Sequence, residues 1–175
     1  HARNPNCPTC GAPTTPAASG WLRICTADGT EHYPRTDPAV IVTVRDAADR
    51  LLLGHAAEWP IGRYSLLAGF VEPGESFEAA VRREVFEESG IIVGEVSYVA
   101  SQPWPFPASV MIGMTGQAVT TEITVDEVEV TAARWVTRGE LKTLVENDQI
   151  RLPMRSSIAR ALIEDWYGED LPGGW

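Results

Sequence analysis

Residues 69–91 read GFVEPGESFEAAVRREVFEESGI, and no other stretch constrains the fold as much. It opens on a glycine loop, Gly69 to Gly74, and closes on Gly90, the residue type that ends a helix in a left-handed cap. Between them, ESFEAAVRREVFEESG (75–90) predicts a helix whose apolar positions are Ala79, Ala80, Val81, Val85 and Phe86. Glu84, Glu87 and Glu88 stand at i, i+3 and i+4, which puts their carboxylates on one helical face. Like charges so placed destabilise an isolated helix. They suit either a solvated acidic face or a site for a hard divalent cation, Mg2+ or Mn2+, which prefers carboxylates, water and substrate phosphates. The glycine loop favours the site, because it lets backbone groups approach a ligand. Arg83 is placed to pair with Glu75 and fix the loop to the helix.

The flanking sequence alternates strand and helix patterns. AVIVTV (39–44), RLLLGHA (50–56) and YSLLAGFVE (64–72) precede the helix as apolar runs of strand length. IIVGEVSYVAS (91–101), SVMIGMTGQAV (109–119) and VDEVEVTAARWV (125–136) follow as strands, the last mixed with an acidic stretch. GELKTLVEND (139–148) and RSSIARALIEDWY (155–167) read as helices; the second takes Ser156 or Ser157 as its N-cap and sets Ile158, Leu162 and Trp166 on one stripe. The order of strands, helix, strands and helices predicts an α/β or α+β sandwich. Residues 1–36 differ in kind: they are rich in Pro, Gly, Thr and Cys, lack a sustained period, and predict a small separate module.

Composition bounds the function. A chain of 175 residues builds one full core, or one core and an appendage. No apolar run approaches the roughly 18 residues that span a bilayer, so no membrane partner is expected. The formal charge of −10 argues against an extensive nucleic-acid surface, which is usually basic, while small anionic ligands remain accessible through a divalent metal. Three cysteines, Cys7, Cys10 and Cys25, are too few for a disulfide framework. The Cys7-x-x-Cys10 spacing suits a metal knuckle, which implies a reducing, cytoplasmic compartment.

Taken together, Gly69, Glu75 and Arg83-Glu84-Val85-Phe86-Glu87-Glu88-Ser89-Gly90-Ile91 resemble the complete Nudix box, with every defined position filled. The resemblance implies a Nudix α/β/α sandwich with a mixed sheet, preceded by a zinc-ribbon-like module. It also implies Mg2+- or Mn2+-dependent hydrolysis of a nucleoside diphosphate linked to another group, with Glu84, Glu87 and Glu88 catalytic and metal-binding. Charge neutralisation and an activated in-line water are what pyrophosphate cleavage requires.

SQPWPFPAS (101–109) carries the resemblance further. Alone it reads as a stiff loop whose Trp104 and Phe106 plug a core. Ten residues after the box it is similar to the signature of the NADH pyrophosphatase branch, which implies substrate contacts from Gln102, Pro103, Trp104, Pro105, Phe106, Pro107, Ala108 and Ser109, and from Met111 beyond. The same branch implies a metal-bound carbonyl at Ala68, a nicotinamide-stacking ring at Phe70, a further metal ligand at Glu129 with Glu127 as its rival, and substrate contacts at Ala159 and at Tyr33, the last delivered across a homodimer. Its expected activity is cleavage of NAD(H) to nicotinamide mononucleotide and AMP, and removal of NAD caps from RNA 5′ ends. Rival expectations are a broader hydrolase, acting for example on ADP-ribose, and a non-hydrolysing nucleotide sensor; the three crowded carboxylates speak against the sensor.

The resemblance frays in the first module. The branch carries two CxxC pairs holding zinc; here Cys7 and Cys10 form one, and Cys25 is followed by Asp28 where a cysteine is expected. Zinc accepts carboxylate or imidazole, so Asp28 or His32 stands as the fourth ligand, against a ribbon without metal held by Trp21, Leu22 and Ile24. The expected organisation is a ribbon-like module over 1–36, a Nudix domain over 37–167 and a tail over 168–175. The chain starts at His1 rather than Met, and the branch implies a further N-terminal domain upstream.

Overall fold

A computed structural model describes residues 4–173. The ends of the expected module and tail, residues 1–3 and 174–175, lie outside the described residues. The chain divides into two units, His1–Thr36 and Asp37–Trp175.

The first unit is an antiparallel sheet of β1 (Thr14–Ala17), β2 (Leu22–Cys25) and β3 (Glu31–His32). Two similar turns flank it. After Cys7 the chain folds back so that the Gly11 N–H donates to the Cys7 carbonyl at 2.9 Å, and after Cys25 the Gly29 N–H donates to the Cys25 carbonyl at 3.0 Å. Gly11 and Gly29 both take positive φ, 74° and 76°, which a side chain disfavours. Cys7-Pro-Thr-Cys10-Gly11 and Cys25-Thr-Ala-Asp28-Gly29 are thus the same turn, and Asp28 holds the place of Cys10. Leu22 is buried under the sheet, but Trp21 is 74% exposed and does not support it.

The second unit is built on β4 (Asp37–Arg45), β5 (Leu51–Ala56), β6 (Leu67–Phe70), β7 (Val93–Trp104), β8 (Ser109–Ala118) and β9 (Val130–Val136), in a mixed sheet of order β7-β8-β4-β5-β9. β4 is the hinge of the topology. One of its edges pairs in parallel with β8 along its whole length. The other edge is shared: β6 takes Ala39–Val42, and β5 meets β4 only where Arg45 pairs with Leu51. The sheet therefore forks at β4, and the box loop leaves from the fork.

Period-two alternation sends neighbouring residues into opposite cores. Val40, Val42 and Leu52 pack on one face against α1 (Phe77–Ser89) through Ala80, Val81 and Val85. Ile41, Leu51 and Leu53 pack on the other against α2 (Arg138–Glu146) and α3 (Ile158–Tyr167) through Leu141, Leu162, Ile163 and Trp166. Each fully buried aliphatic side chain contributes about 1.5–3 kcal/mol. This is the α/β/α sandwich.

α1 starts at Ser76, whose hydroxyl accepts from the Ala79 N–H, and ends at Gly90 with φ 70°. Such an N-cap is worth about 1 kcal/mol. Phe86, expected on its apolar face, is 56% exposed. The strand expected over 64–72 contracts to Leu67–Phe70: Ser65 makes only an isolated bridge to Gly54, and past Phe70 the chain leaves the sheet toward the turn at Pro73–Gly74. The acidic stretch before β9 is a turn rather than a strand: the Asp126 carboxylate accepts from the N–H groups of Val128, Glu129 and Val130. Pro103 lies inside β7, which tolerates it because β7 is an edge strand.

Candidate active site

α1 and the fork at β4 assemble the acidic centre. Gly69 pairs with Val40. A Cβ at residue 69 would sit 1.9 Å from Glu84 Cδ, so the Glu84 carboxylate occupies the volume that the missing side chain leaves. The box glycine is thus a passage for a carboxylate. Arg83 ties loop to helix as its spacing predicts: Nε and Nη2 donate to Glu75 Oε1 and Oε2 at 2.9 Å each, and Nη2 also reaches the Phe70 carbonyl at 2.9 Å. Its Nη1 meets Glu84 at 2.9 Å and Glu87 at 3.0 Å.

The electrostatics are those of a cation site. Burial raises the Glu84 carboxyl above its usual range, with Glu87 and Glu129 adding to the rise and Arg83 opposing it. Glu88 is buried, and burial followed by repulsion from Glu84, Glu129, Asp126 and Glu87 pushes it up to about 8. Its Oε2 is buried without a hydrogen-bond partner. A buried acceptor without a donor, among converging carboxylates, is an uncompensated cost that a divalent cation removes. The residues present therefore fit a hard divalent cation.

Glu84, Glu87 and Glu129 open on a cavity of about 610 Å³ whose lining also includes Ala68, Gly69, Phe70, Trp104, Phe106, Pro107, Ser109 and Met111. Glu129 lines it; Glu127, with φ 61° in the Asp126 turn, does not. Phe70 is 59% exposed at its rim, and Phe106, which the sequence suggests as a core plug, is 76% exposed. Trp104 holds Phe106 edge-on, with ring centroids 6.0 Å apart. Pro103 and Pro105 are exposed and line neither this cavity nor the next.

A second recess of about 350 Å³ lies beside the first, with Trp104 and Met111 lining both. Ile41, Trp59, Arg63, Ser65, Met154 and Ala159 complete most of its wall. Gln102 lies on it too, but its carboxamide faces α3: Nε2 donates to the Ser156 carbonyl and Oε1 accepts from the Ile158 N–H, both at 2.7 Å. Sequence reasoning reached Met111 and Ala159 through the resemblance. It missed Ile41, Trp59 and Arg63, which carry no local signal: Ile41 is indistinguishable in sequence from its core neighbours.

In the first unit the sulfurs of Cys7, Cys10 and Cys25 all lie within 4.8 Å of one another, with Cys10 and Cys25 at 3.5 Å. Backbone donation from Cys10 draws the Cys7 thiol down to about 6. Cys25, although its backbone neighbours Ala27 and Asp28 pull it down, is pushed up to about 11 by burial, the Asp28 carboxylate and Cys10. The Asp28 carboxylate accepts from the Thr30 N–H at 2.9 Å, and this bond leads the causes that hold it below its usual range. His32 Nε2 is buried without a hydrogen-bond partner. Three soft thiols with a carboxylate beside one of them fit zinc. Tyr33 is 61% exposed, with its hydroxyl donating to Glu31 at 2.9 Å.

The family follows from this arrangement and from direct comparison. The NUDIX domain model matches residues 35–160, and the chain belongs to that family of hydrolases. The model described as the NADH pyrophosphatase zinc ribbon domain matches residues 2–33. Among curated proteins, the chain is 46% identical over 165 residues to the NAD-capped RNA hydrolase NudC of Mycobacterium bovis, covering 89% of this chain and 53% of that protein. It is 46% identical over 178 residues to the human NAD-capped RNA hydrolase NUDT12, covering 95% of this chain and 38% of that protein. The chain thus spans about half the length or less of these relatives. A NUDIX hydrolase from Nitrosomonas europaea shares the fold with a TM-score of 0.70 at 22% identity, covering 95% of this chain and 94% of that one.

Proposed function

We propose that this chain cleaves the pyrophosphate bond of NAD(H), giving nicotinamide mononucleotide and AMP, and removes NAD caps from RNA 5′ ends. One observation carries the reading: the acidic cavity and the apolar recess are neighbours that share Trp104 and Met111 in their walls. A diphosphate over the carboxylates leaves a flat base within reach of the recess, where tryptophan and methionine suit an aromatic ring. Relatives named as NAD-capped RNA hydrolases, matched across ribbon and catalytic unit alike, support the same substrate.

Glu84, Glu87, Glu88 and Glu129, with the Ala68 carbonyl, are the groups to hold Mg2+ or Mn2+. When bound, that ion supplies charge neutralisation for the diphosphate and lowers the pKa of water. The chain's own residues do the rest. Arg83 locks Glu84, Glu87 and Glu75 in register, so the loop cannot drift from the helix. Phe70 and Trp104 offer ring faces, and Ser109 a hydroxyl, along the path of the substrate. The charge of −10 confines recognition to the cap and first nucleotides.

Zinc in the first unit, with Asp28 completing Cys7, Cys10 and Cys25, belongs to the same proposal, as do a homodimer that brings Tyr33 to the partner's site and a cytoplasmic location. The test is a comparison of rates on NADH, ADP-ribose and NAD-capped RNA with Mg2+ or Mn2+. NADH or capped RNA should be cleaved fastest. Faster turnover of ADP-ribose would overturn the substrate assignment, and no turnover of any would overturn hydrolysis. Light scattering for the dimer and elemental analysis for zinc complete the experiment.

A further inference from the structure

We propose that Gln102 is a positioning residue that sets the gap between Trp104 and the start of α3, and so makes the site selective for substrates carrying a second base. The inference rests on the substrate reading above. It differs from the role implied by the resemblance, in which Gln102 touches substrate.

Gln102 and Trp104 are two apart on β7 and share a face of the strand. Gln102 pairs with Met111, which in turn pairs with Ala39, so the three form one row across β7, β8 and β4. The row lies along the cavity and the recess. From it the Gln102 carboxamide crosses to α3, fifty-six residues away in sequence, and makes a bond from each end. Ile158 is the first residue of α3, and its N–H has no partner within the helix. Ser157 caps a different donor, the Arg160 N–H, at 3.2 Å. Gln102 is therefore a second cap delivered from another element. Its oxygen is bonded and one of its two N–H donors is used, so substrate contact would compete with bonds already made.

The segment is fixed on its other side as well. Arg160 is fully buried and holds the Pro153 carbonyl, Glu164 at 2.7 Å, and the carbonyls of Leu171 and Pro172. Ser157, Ile158 and Ala159 face the recess from α3, and Trp104 faces it from β7. With α3 anchored behind by Arg160, Gln102 sets how far its front stands from Trp104. A flat ring fits only if that width is held.

The test compares Gln102→Met, similar in shape and without hydrogen bonds, with Gln102→Glu, which keeps the acceptor for the Ile158 N–H and gains a favourable charge at a helix N-terminus while losing the donor to the Ser156 carbonyl. Amide hydrogen exchange is read on the substrate-free protein. Exchange at Ile158 should accelerate about tenfold in Gln102→Met, the effect of one lost hydrogen bond, and stay near wild type in Gln102→Glu. In Gln102→Met the KM for NADH should rise about tenfold, and the preference for NADH over ADP-ribose, as the ratio of their kcat/KM values, should fall by about the same factor. Gln102→Glu should recover most of the NADH KM. Unchanged exchange in Gln102→Met overturns the proposal even if KM rises, because that pattern belongs to direct contact. Accelerated exchange with unaltered selectivity overturns it too. Failure of the wild-type protein to prefer NADH would refute the substrate reading on its own, while the exchange arm, which needs no substrate, would still decide whether Gln102 positions α3.

Discussion

Gly69→Ala should separate folding from catalysis. The added Cβ would lie 1.9 Å from Glu84 Cδ and 2.1 and 2.2 Å from its oxygens. Carbon atoms in contact stand about 3.5 Å apart, so the carboxylate must retreat by about 1.6 Å. The retreat is easy, because the obstructing atoms are the end of a flexible side chain. Alanine in an extended strand stabilises by about 0.4–1 kcal/mol through the unfolded chain, and weakening the partly exposed Arg83–Glu84 pair costs about 0–1 kcal/mol. These offset, and the melting temperature should move by no more than about 3 °C. Catalysis has no such tolerance: a misplacement of about 1 Å in a reacting constellation costs on the order of a hundredfold in rate. The assay pairs thermal unfolding with kcat on NADH at saturating Mg2+. A variant that keeps more than about a third of wild-type kcat would refute the claim that Glu84 needs the glycine passage. Loss of activity together with a collapse in melting temperature would refute the claim that folding is spared.

Other consequences are as direct. Millimolar Mn2+ should raise the melting temperature of the wild-type protein by several degrees and that of Glu88→Gln by clearly less, since the variant lacks the buried charge that the cation compensates; equal shifts would remove Glu88 from the metal site. Arg83→Lys loses the two-pronged contact with Glu75 and should lower kcat/KM about ten- to hundredfold, with Mg2+ unable to restore it. Asp28→Cys should retain zinc through a chelator wash that strips the natural protein, measured by elemental analysis. Asp46 is buried, and although burial raises its carboxyl, bonds from the Arg50 N–H and guanidinium and the Ala48 N–H hold it below the usual range. A depressed carboxyl stabilises above its unfolded value and loses that stabilisation as pH falls through its folded value. Asp46→Asn should therefore destabilise by about 1–3 kcal/mol at pH 7, and the difference from wild type should begin to shrink only as pH falls below about 4 in urea titrations, vanishing beneath the depressed folded value.

Local chemistry made much of this legible in sequence. Ser76 and Gly90 bound α1 within about two residues of the helix that its apolar spacing predicts. The same holds for the Arg83–Glu75 tie, an eight-residue separation that a loop and two helical turns close. What stayed hidden depends on contacts between distant segments. The burial of Arg160 is set by the carbonyls of Pro153, Leu171 and Pro172, and nothing in IARALIED distinguishes it from a solvated helix arginine. Gln102 reads as a polar residue in a proline-rich loop until β7 and α3 are set side by side. Asp126 reads as one acid among several, and only its three backbone bonds show why Glu129, rather than Glu127, turns toward the cavity.

The fork at β4 bears on how such an enzyme changes. α1 rests on the Val40 and Val42 side of that strand, and α3 on the Ile41 side. The glutamates of α1 are rooted in one core, and the α3 wall of the recess is rooted in the other. The sheet lies between the two cores, and Glu84 reaches the cavity by filling the space that a side chain at Gly69 would take. Drift in α3 and the recess can therefore retune substrate choice while the hydrolytic centre stays intact, and one catalytic half can serve many specificities.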